Sequence, residues 1–143
     1  MKSIQTSRFG TIEIEETRVI HFPEGLLGFP LHRDYILLDH RPDSPFCWLQ
    51  STDAPELAFV VTDPFRFIAD YLQGLSAEEQ ARFEVEEGGE RVILNLVTIP
   101  SGQVEKTTVN LLGPLVIDAT ARTGKQVVLA GAGYSHRQPL FAS

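Results

Sequence analysis

The side chains best suited to chemistry in this 143-residue chain are four histidines and one cysteine. The histidines are His21, His32, His40 and His136. None stands at a metal-ligand spacing from another histidine or from the cysteine, and no His-Glu-x-x-His motif occurs, so we expect no metal site. His32-Arg33-Asp34 matches a kinase catalytic-loop tripeptide, but no glycine-rich loop precedes it and the chain is too short for a kinase domain.

The remaining catalytic and cofactor patterns are incomplete. Gly131-Ala132-Gly133 lacks the third glycine of a dinucleotide-binding fingerprint, and residues 123–126 lack the Ser or Thr that follows lysine in a phosphate loop. No serine stands in a Gly-x-Ser-x-Gly motif. Cys47 lies between Phe46 and Trp48 in an apolar stretch, so we expect a buried, inert thiol and a core tryptophan. The sequence predicts no catalytic, cofactor or metal residue.

Short strands, rather than helices, must position any functional surface. Period-2 alternation and apolar runs between turn residues predict strands over 11–15, 18–22, 35–39, 46–50, 57–62, 83–87, 90–99, 106–112, 115–118 and 125–130. Gly88-Gly89 predicts a hairpin between residues 83–87 and 90–99, and Thr123-Gly124 predicts a second one between the last two strands. Pro114 predicts a break or bulge in the pairing.

Helix signals are few. Ser76-Ala77-Glu78-Glu79 is a capping-box pattern, and Asp63-Pro64 precedes a second short candidate helix. We therefore predict a mainly β fold, a single-domain antiparallel β-barrel-like structure over residues 1–143 with one or two short helices.

The charge distribution limits the classes of partner. With 12 basic and 19 acidic residues the formal net charge is -7, which argues against direct binding of nucleic acid. Residues 23–90 carry 14 acidic and 4 basic residues, whereas residues 119–143 carry three basic residues and no acid. The acidic stretch is interpreted either as a solvated face or as a docking surface for a basic partner. The start of the chain lacks the apolar segment of a secretion signal, and the longest apolar run is too short to span a membrane, so we expect a cytoplasmic protein.

One connection between strands is apolar and rich in turn residues. Residues 21–30 hold two prolines, two glycines and four large apolar side chains. The loop either plugs the end of a barrel or offers an apolar patch to a partner, and its three apolar side chains after Gly25 cannot all face inward. Asn110 either faces outward or satisfies a neighbouring backbone group. The candidate partner-binding residues are Glu24, Leu26, Leu27, Phe29, Glu78, Glu79 and Asn110.

An ordered set of short blocks resembles the flagellar assembly factor FliW family. The blocks are residues 22–30, 48–51, 58–61, 63–64, 70–71, 97–100, 108–114 and 126–129, with Tyr134. The resemblance runs from about residue 10 to 140, although Gly113 stands where alanine is common and residues 73–91 are less recognisable.

The resemblance implies a β-barrel-like protein without catalytic activity or cofactor. It implies two protein partners: CsrA, a small dimeric RNA-binding repressor of translation, and flagellin. Binding of flagellin would release CsrA and stop flagellin synthesis. Two alternatives remain open, a small-molecule-binding barrel whose ligand contacts Trp48 and Phe59, and an enzyme of unrecognised type.

Overall fold

The computed structural model describes residues 1–39 and 41–141, so His40 lies outside the described residues. The strands are β1 (Lys2–Thr6), β2 (Gly10–Ile14), β3 (Ile20–His21), β4 (Asp34–Asp39), β5 (Phe46–Ser51), β6 (Ala58–Thr62), β7 (Arg91–Thr98), β8 (Thr108–Val109), β9 (Leu115–Asp118), β10 (Thr123–Gln126) and β11 (Gln138–Pro139). The helix α1 spans Ala77–Ala81, and short 3-10 helices span Glu16–Arg18, Pro64–Arg66 and Val104–Lys106. None of the helices in these two ranges has the length and apolarity needed to cross a bilayer.

Seven strands close into a ring. Their order is β7-β6-β5-β4-β3-β10-β9, and β9 pairs with β7 to complete the circle. Strand β7 closes the ring because its first half, Arg91 to Leu94, pairs with β9 while Asn95 to Val97 pair with β6. The mainly β, barrel-like prediction is therefore confirmed. One pair in the ring, β3 with β10, is parallel, so the ring is mostly rather than entirely antiparallel.

The predicted break at Pro114 is a bulge. Val97 lies opposite Val109, and Leu94 lies opposite Leu115. Three steps along β7 thus correspond to six steps on the facing chain, and the extra residues form the bulge over residues 110–114. The predicted strand over 106–112 is reduced to Thr108–Val109, and Thr107, Val109 and Leu111 are buried.

The interior of the ring is filled by apolar side chains of β3, β4, β5, β6, β7 and β9 and of the loop that follows β3. The fully buried ones are Ile20, Phe22, Leu26, Tyr35, Leu49, Val61, Leu115 and Ile117. Strand β9 is buried along its whole length, so its continuous apolar run matches a strand covered on both faces.

Three layers cover much of the outer face of the ring. The β1–β2 hairpin places Ile4 and Ile14 on Ile36 of β4. The segment after β6 packs Tyr71 against Val97 and Val109. The segment around α1 and the chain after β10 pack Leu75, Phe83, Val127 and Leu129 on Val116.

The local signals had mixed outcomes. The capping box at Ser76 and Glu79 forms as predicted, and Asp63 caps the 3-10 helix Pro64–Arg66. The predicted hairpin over 83–99 was wrong: residues 83–87 form no strand, Phe83 and Val85 pack on the outer face, and β7 pairs with β6, β8 and β9 instead. Only Ile20–His21 of the predicted strand 18–22 is extended, and strand β1 was not predicted at all.

Candidate partner-binding surface

The apolar loop, residues 22–31, is anchored by two buried side chains. Phe22 is fully buried, and its ring meets that of Tyr35 edge to face with centroids 5.6 Å apart. Leu26 is 2% exposed and belongs to the ring interior. Gly124 of β10 packs directly on the Phe22 ring, where a Cβ atom would lie 2.5 Å from a ring carbon. Leu26 therefore holds the loop in place from beneath and offers no surface to a partner.

The tip of the loop is a two-residue hairpin. The Phe29 N–H donates to the Leu26 carbonyl at 2.7 Å, and the Leu26 N–H donates to the Phe29 carbonyl at 3.4 Å. Gly28 sits in the turn with φ of +85°. Gly25 has φ of +66°, and a side chain there would strike the Phe29 carbonyl at 2.5 Å. These contacts fix the tip in one conformation.

Three apolar side chains are displayed around this tip. Leu27 is 64% exposed and Leu31 is 83% exposed. Phe29 is 37% exposed and rests edge to face on Phe59, with ring centroids 5.2 Å apart. Each interpretation of the loop thus holds for one part of it: its inner side fills the ring, and its tip exposes apolar surface.

Gln126 joins the loop to the bulge. Its side-chain oxygen accepts the Leu27 N–H at 3.0 Å, and its side-chain nitrogen donates to the Gly113 carbonyl at 2.9 Å. A Cβ atom at Gly113 would lie 2.9 Å from the Gln126 nitrogen, so the departure to glycine at this position leaves room for the bridge. The sequence analysis missed Gln126, because nothing local indicates a bond across 99 positions.

Asn110 organises the bulge itself. Its side-chain oxygen accepts the N–H groups of Leu112 and Gly113, each at 3.0 Å. The Asn110 carbonyl accepts from the buried Asn95 side chain at 2.7 Å. The half-buried Asn110 thus satisfies neighbouring backbone groups, which is one of the two roles predicted for it.

A second buried tyrosine supports the bulge. The Tyr71 hydroxyl donates to the Leu111 carbonyl at 2.6 Å and accepts from Asn95 at 3.1 Å. Burial raises the pKa of Tyr71 to about 12, so the hydroxyl keeps its proton and remains a donor.

An acidic groove begins where the apolar loop begins. The groove has a volume of about 500 Å³ and is lined by Pro23 and Glu24 of the loop, by residues 84–86, and by β9 and β10. Its charged lining residues are Glu24, Glu84, Glu86, Asp118 and Lys125. Four carboxylates against one ammonium make it a net negative surface, and Pro23 and Glu24 join it to the start of the apolar loop.

The acidic residues of α1 have different roles. Glu79 is half-buried in the capping box, where its carboxylate accepts the Ser76 N–H at 3.2 Å. Glu78 is exposed. A charge reversal at Glu79 therefore disturbs the helix, whereas one at Glu78 changes only the surface.

A separate groove of about 750 Å³ contains Trp48 and Phe59 together. Trp48 is only half-buried: the Arg8 guanidinium lies 4.0 Å from its ring centroid, and Phe9 contacts it edge to face. The prediction of a core tryptophan was wrong, because alternation along β5 turns Trp48 outward. Cys47 is half-buried; burial, followed by the nearby Asp39 carboxylate, raises the pKa of its thiol against an opposing effect of Arg66. A raised pKa disfavours the nucleophilic thiolate.

In residues 1–39 and 41–141, no group of three or more His, Cys, Asp or Glu side chains could hold a metal ion. Both the apolar tip and the bulge lie within residues 2–140, which match the FliW protein family model. The chain is 42% identical to the flagellar assembly factor FliW of Magnetococcus marinus over 138 residues, covering 96% of this chain and 84% of that protein. It is also 42% identical to the FliW of Geobacter sulfurreducens over 139 residues, covering 97% and 86%.

The chain belongs to the FliW family. A crystal structure of a flagellar assembly factor FliW superposes with a TM-score of 0.85 at 31% identity, covering 99% of this chain and 98% of that one. FliW proteins are non-enzymatic flagellar assembly factors, which confirms the family predicted from the ordered blocks.

Proposed function

We propose that this FliW-family chain acts in the cytoplasm as a switch between two protein partners. In one state it binds CsrA and keeps this repressor from the flagellin message. In the other it binds unsecreted flagellin, protects it as a chaperone would, and releases CsrA. The observation that carries the proposal is an exposed apolar tip on a rigid loop beside an acidic groove, since interfaces combine an apolar centre with a polar rim.

The apolar tip supplies the specific contact. Leu27 stands on a hairpin held by Gln126, Gly25 and the buried Leu26, so little conformational freedom remains to be lost on binding. A few well-placed apolar side chains commonly carry most of the energy of such interfaces. Leu27, with Phe29 beside it, is therefore the proposed centre of one partner's interface.

The acidic groove supplies steering and selectivity. A protein that grips RNA must present basic surface, and Glu24, Glu84 and Glu86 complement it. Two bound copies would add a formal charge of about twice the -7 of one chain to a CsrA dimer. Because the Debye length is about 8 Å at physiological salt, this charge would repel RNA only close to the acidic face.

Isothermal titration with CsrA and then with flagellin tests the role of the tip. Leu27→Asp is expected to weaken one partner by about 30-fold or more, because a charge would be buried at the centre of the interface. Its melting temperature should fall by no more than about 3 °C, since the side chain is mostly exposed. Thr17→Asp is the control, because Thr17 is exposed and lies outside the loop and both grooves.

Unchanged affinity of Leu27→Asp for both partners would remove the tip from the interface. The acidic groove is tested separately by Glu84→Lys combined with Glu86→Lys, which should slow association with CsrA and flatten its salt dependence. Glu13→Lys combined with Glu15→Lys, at two exposed positions at the end of β2 and just after it, is the control with the same change in net charge. The same result from both variants would reduce the groove to a solvated face.

A further inference from the structure

The ring has an opening between β6 and β7. The two strands pair from Thr62 opposite Asn95 to Val60 opposite Val97, and the pairing stops there. The Ser51 N–H donates to the Leu57 carbonyl on the β5 side, and the Asn110 N–H donates to the Leu96 carbonyl on the β8 side. The N–H and C=O groups of successive residues in a strand point to opposite sides. Because Leu57 points toward β5 and Leu96 toward β8, the backbone groups of Ala58 and Ile99 point toward each other across the opening.

These facing backbone groups are not joined. No backbone hydrogen bond links Ala58 to Ile99 in the described part of the chain. The unpaired end of β6 and the chain just after β7 therefore each present a backbone donor and an acceptor. An added strand can use such groups, because β-strand addition takes its affinity from main-chain hydrogen bonds.

The groove of about 750 Å³ lies over this opening. Trp48, Ala58 and Val60 line it from β5 and β6, and Ile99 and Val104 line it from the chain after β7. Ile99 is 38% exposed and Val104 is 60% exposed. The β1–β2 hairpin covers β4, and the Tyr71 segment covers β7 and β8, so this strip lies between the two covering layers.

The groove also carries a positive charge that has no carboxylate partner among residues 1–39 and 41–141. Arg8 lines it and stacks on Trp48. The ion pairs found in residues 1–39 and 41–141 join His21 to Asp34 and His32 to Asp53, so neither uses Arg8. A guanidinium held on an aromatic face keeps its hydrogen-bond donors available for a carboxylate.

We infer that this groove binds an extended, apolar, carboxylate-bearing segment of a partner protein, which adds as a strand between β6 and β7. Ala58 and Ile99 pair with its backbone. Trp48, Val60 and Val104 contact its apolar side chains, and Arg8 pairs with its carboxylate. This site is distinct from the apolar tip, and it does not depend on which partner the tip binds.

The test begins with a random peptide library displayed on phage and selected against the whole chain. A synthetic peptide made from the selected sequence is then titrated by fluorescence anisotropy. We expect alternating apolar positions with at least one acid. Val104→Asp should weaken binding of the synthetic peptide by about tenfold. Leu27→Asp, the matched control, should leave it unchanged, and Arg8→Gln should abolish the preference for acidic peptides.

Two backbone readouts separate strand addition from any other occupancy of the groove. Amide hydrogen exchange at Ala58 and Ile99 should slow when the peptide is bound. N-methylation of the peptide should weaken binding at successive positions, because the N–H groups of an inserted strand face β6 and the chain after β7 in turn.

The inference is overturned if no sequence is enriched, if bound peptide leaves both amides unprotected, or if only a small molecule occupies the groove. It is also overturned if the selected peptide responds to Leu27→Asp and not to Val104→Asp. None of these measurements uses CsrA or flagellin, so their failure would leave the proposed switch standing.

Discussion

The glycines around the apolar loop allow its rigidity to be tested quantitatively. Gly124 has no positive φ, yet a Cβ atom there would lie 2.5, 2.8 and 3.0 Å from three carbons of the Phe22 ring. Phe22 cannot retreat, because it is fully buried and packed against Tyr35. Gly124→Ala is therefore a purely steric change. At Gly28 the backbone φ is +85°, and an added Cβ atom would have no other atom within 4 Å. Gly28→Ala is a purely backbone change.

The magnitudes follow from these two mechanisms. Overpacking a core by one methyl group costs about 1–3 kcal/mol, and the backed Phe22 ring places Gly124→Ala toward the upper end. A non-glycine residue in the left-handed region costs about 1–2 kcal/mol, which applies to Gly28→Ala. Gly25→Ala combines both, since its φ is +66° and its Cβ would meet the Phe29 carbonyl at 2.5 Å. The expected order of destabilisation is Gly28, then Gly124, then Gly25.

Urea denaturation followed by tryptophan fluorescence and by circular dichroism measures the series. Each kcal/mol should lower the melting temperature by about 2–4 °C in a protein of this size. If Gly124→Ala lowers the free energy of unfolding by less than about 0.5 kcal/mol, the reasoning is refuted. A cost that small is typical of surface substitutions and would mean that the Phe22 ring can move aside. In that case the loop is not rigidly anchored, and Leu27 is not held in one conformation before it binds a partner.

Other substitutions examine the outer face and one titrating pair. Trp48→Ala should lower the free energy of unfolding by about 1–3 kcal/mol, measured by denaturant unfolding, because Trp48 is half-buried. Loss of a fully buried aromatic side chain costs ~3–5 kcal/mol, and a loss of that size would show that Trp48 belongs to the core. The Ser51 hydroxyl, followed by His32, lowers the pKa of Asp53 below its ordinary 3.8. A carboxyl whose pKa is lower in the folded than in the unfolded state stabilises the fold at pH values above its unfolded-state pKa, and this stabilisation is lost as the pH falls through its folded-state pKa. Ser51→Ala should therefore raise the pKa of Asp53 in an NMR titration and reduce the acid sensitivity of folding that this carboxyl causes. An unmoved Asp53 would assign the shift to His32.

Local signals predicted well those features that local chemistry decides. The capping box of Ser76 and Glu79 needs only four residues, and it formed. Pro114 cannot donate to a sheet, and the bulge lies there. Thr107, Val109 and Leu111 alternate with polar or exposed neighbours and are all buried, although β8 spans only Thr108–Val109.

Features decided by distant partners were not predictable in the same way. Residues 83–87 alternate as a strand would, but a period of two does not say whether a strand or a packed turn buries the apolar side. The parallel contact of β3 with β10 joins His21 to Thr123, which no turn signal encodes. Strand β1 was missed for a related reason, since its two buried positions, Ile4 and Thr6, include one polar residue.

The candidate surface was also predictable only where local sequence decides its structure. An argument from side-chain number alone indicated that Leu26, Leu27 and Phe29 could not all face inward, and the structure places Leu26 inside and Leu27 outside. Which residue took which place depends on the hairpin between Leu26 and Phe29 and on Gln126, and these are tertiary contacts. The acidic surface was visible in the sequence as a long charged stretch, but its groove also uses Asp118, from outside that stretch.

The exposed tip and its buried anchor explain each other. An apolar side chain that stays in water, such as Leu27, adds no hydrophobic free energy to folding. The conformation of the tip must therefore be stabilised by the groups beneath it. Phe22 and Leu26 supply buried area, and Gln126 holds the Leu27 N–H. Because these contacts belong to the ring interior and to the bulge, a change that loosens either region should weaken partner binding through the tip, even where the altered residue touches no partner.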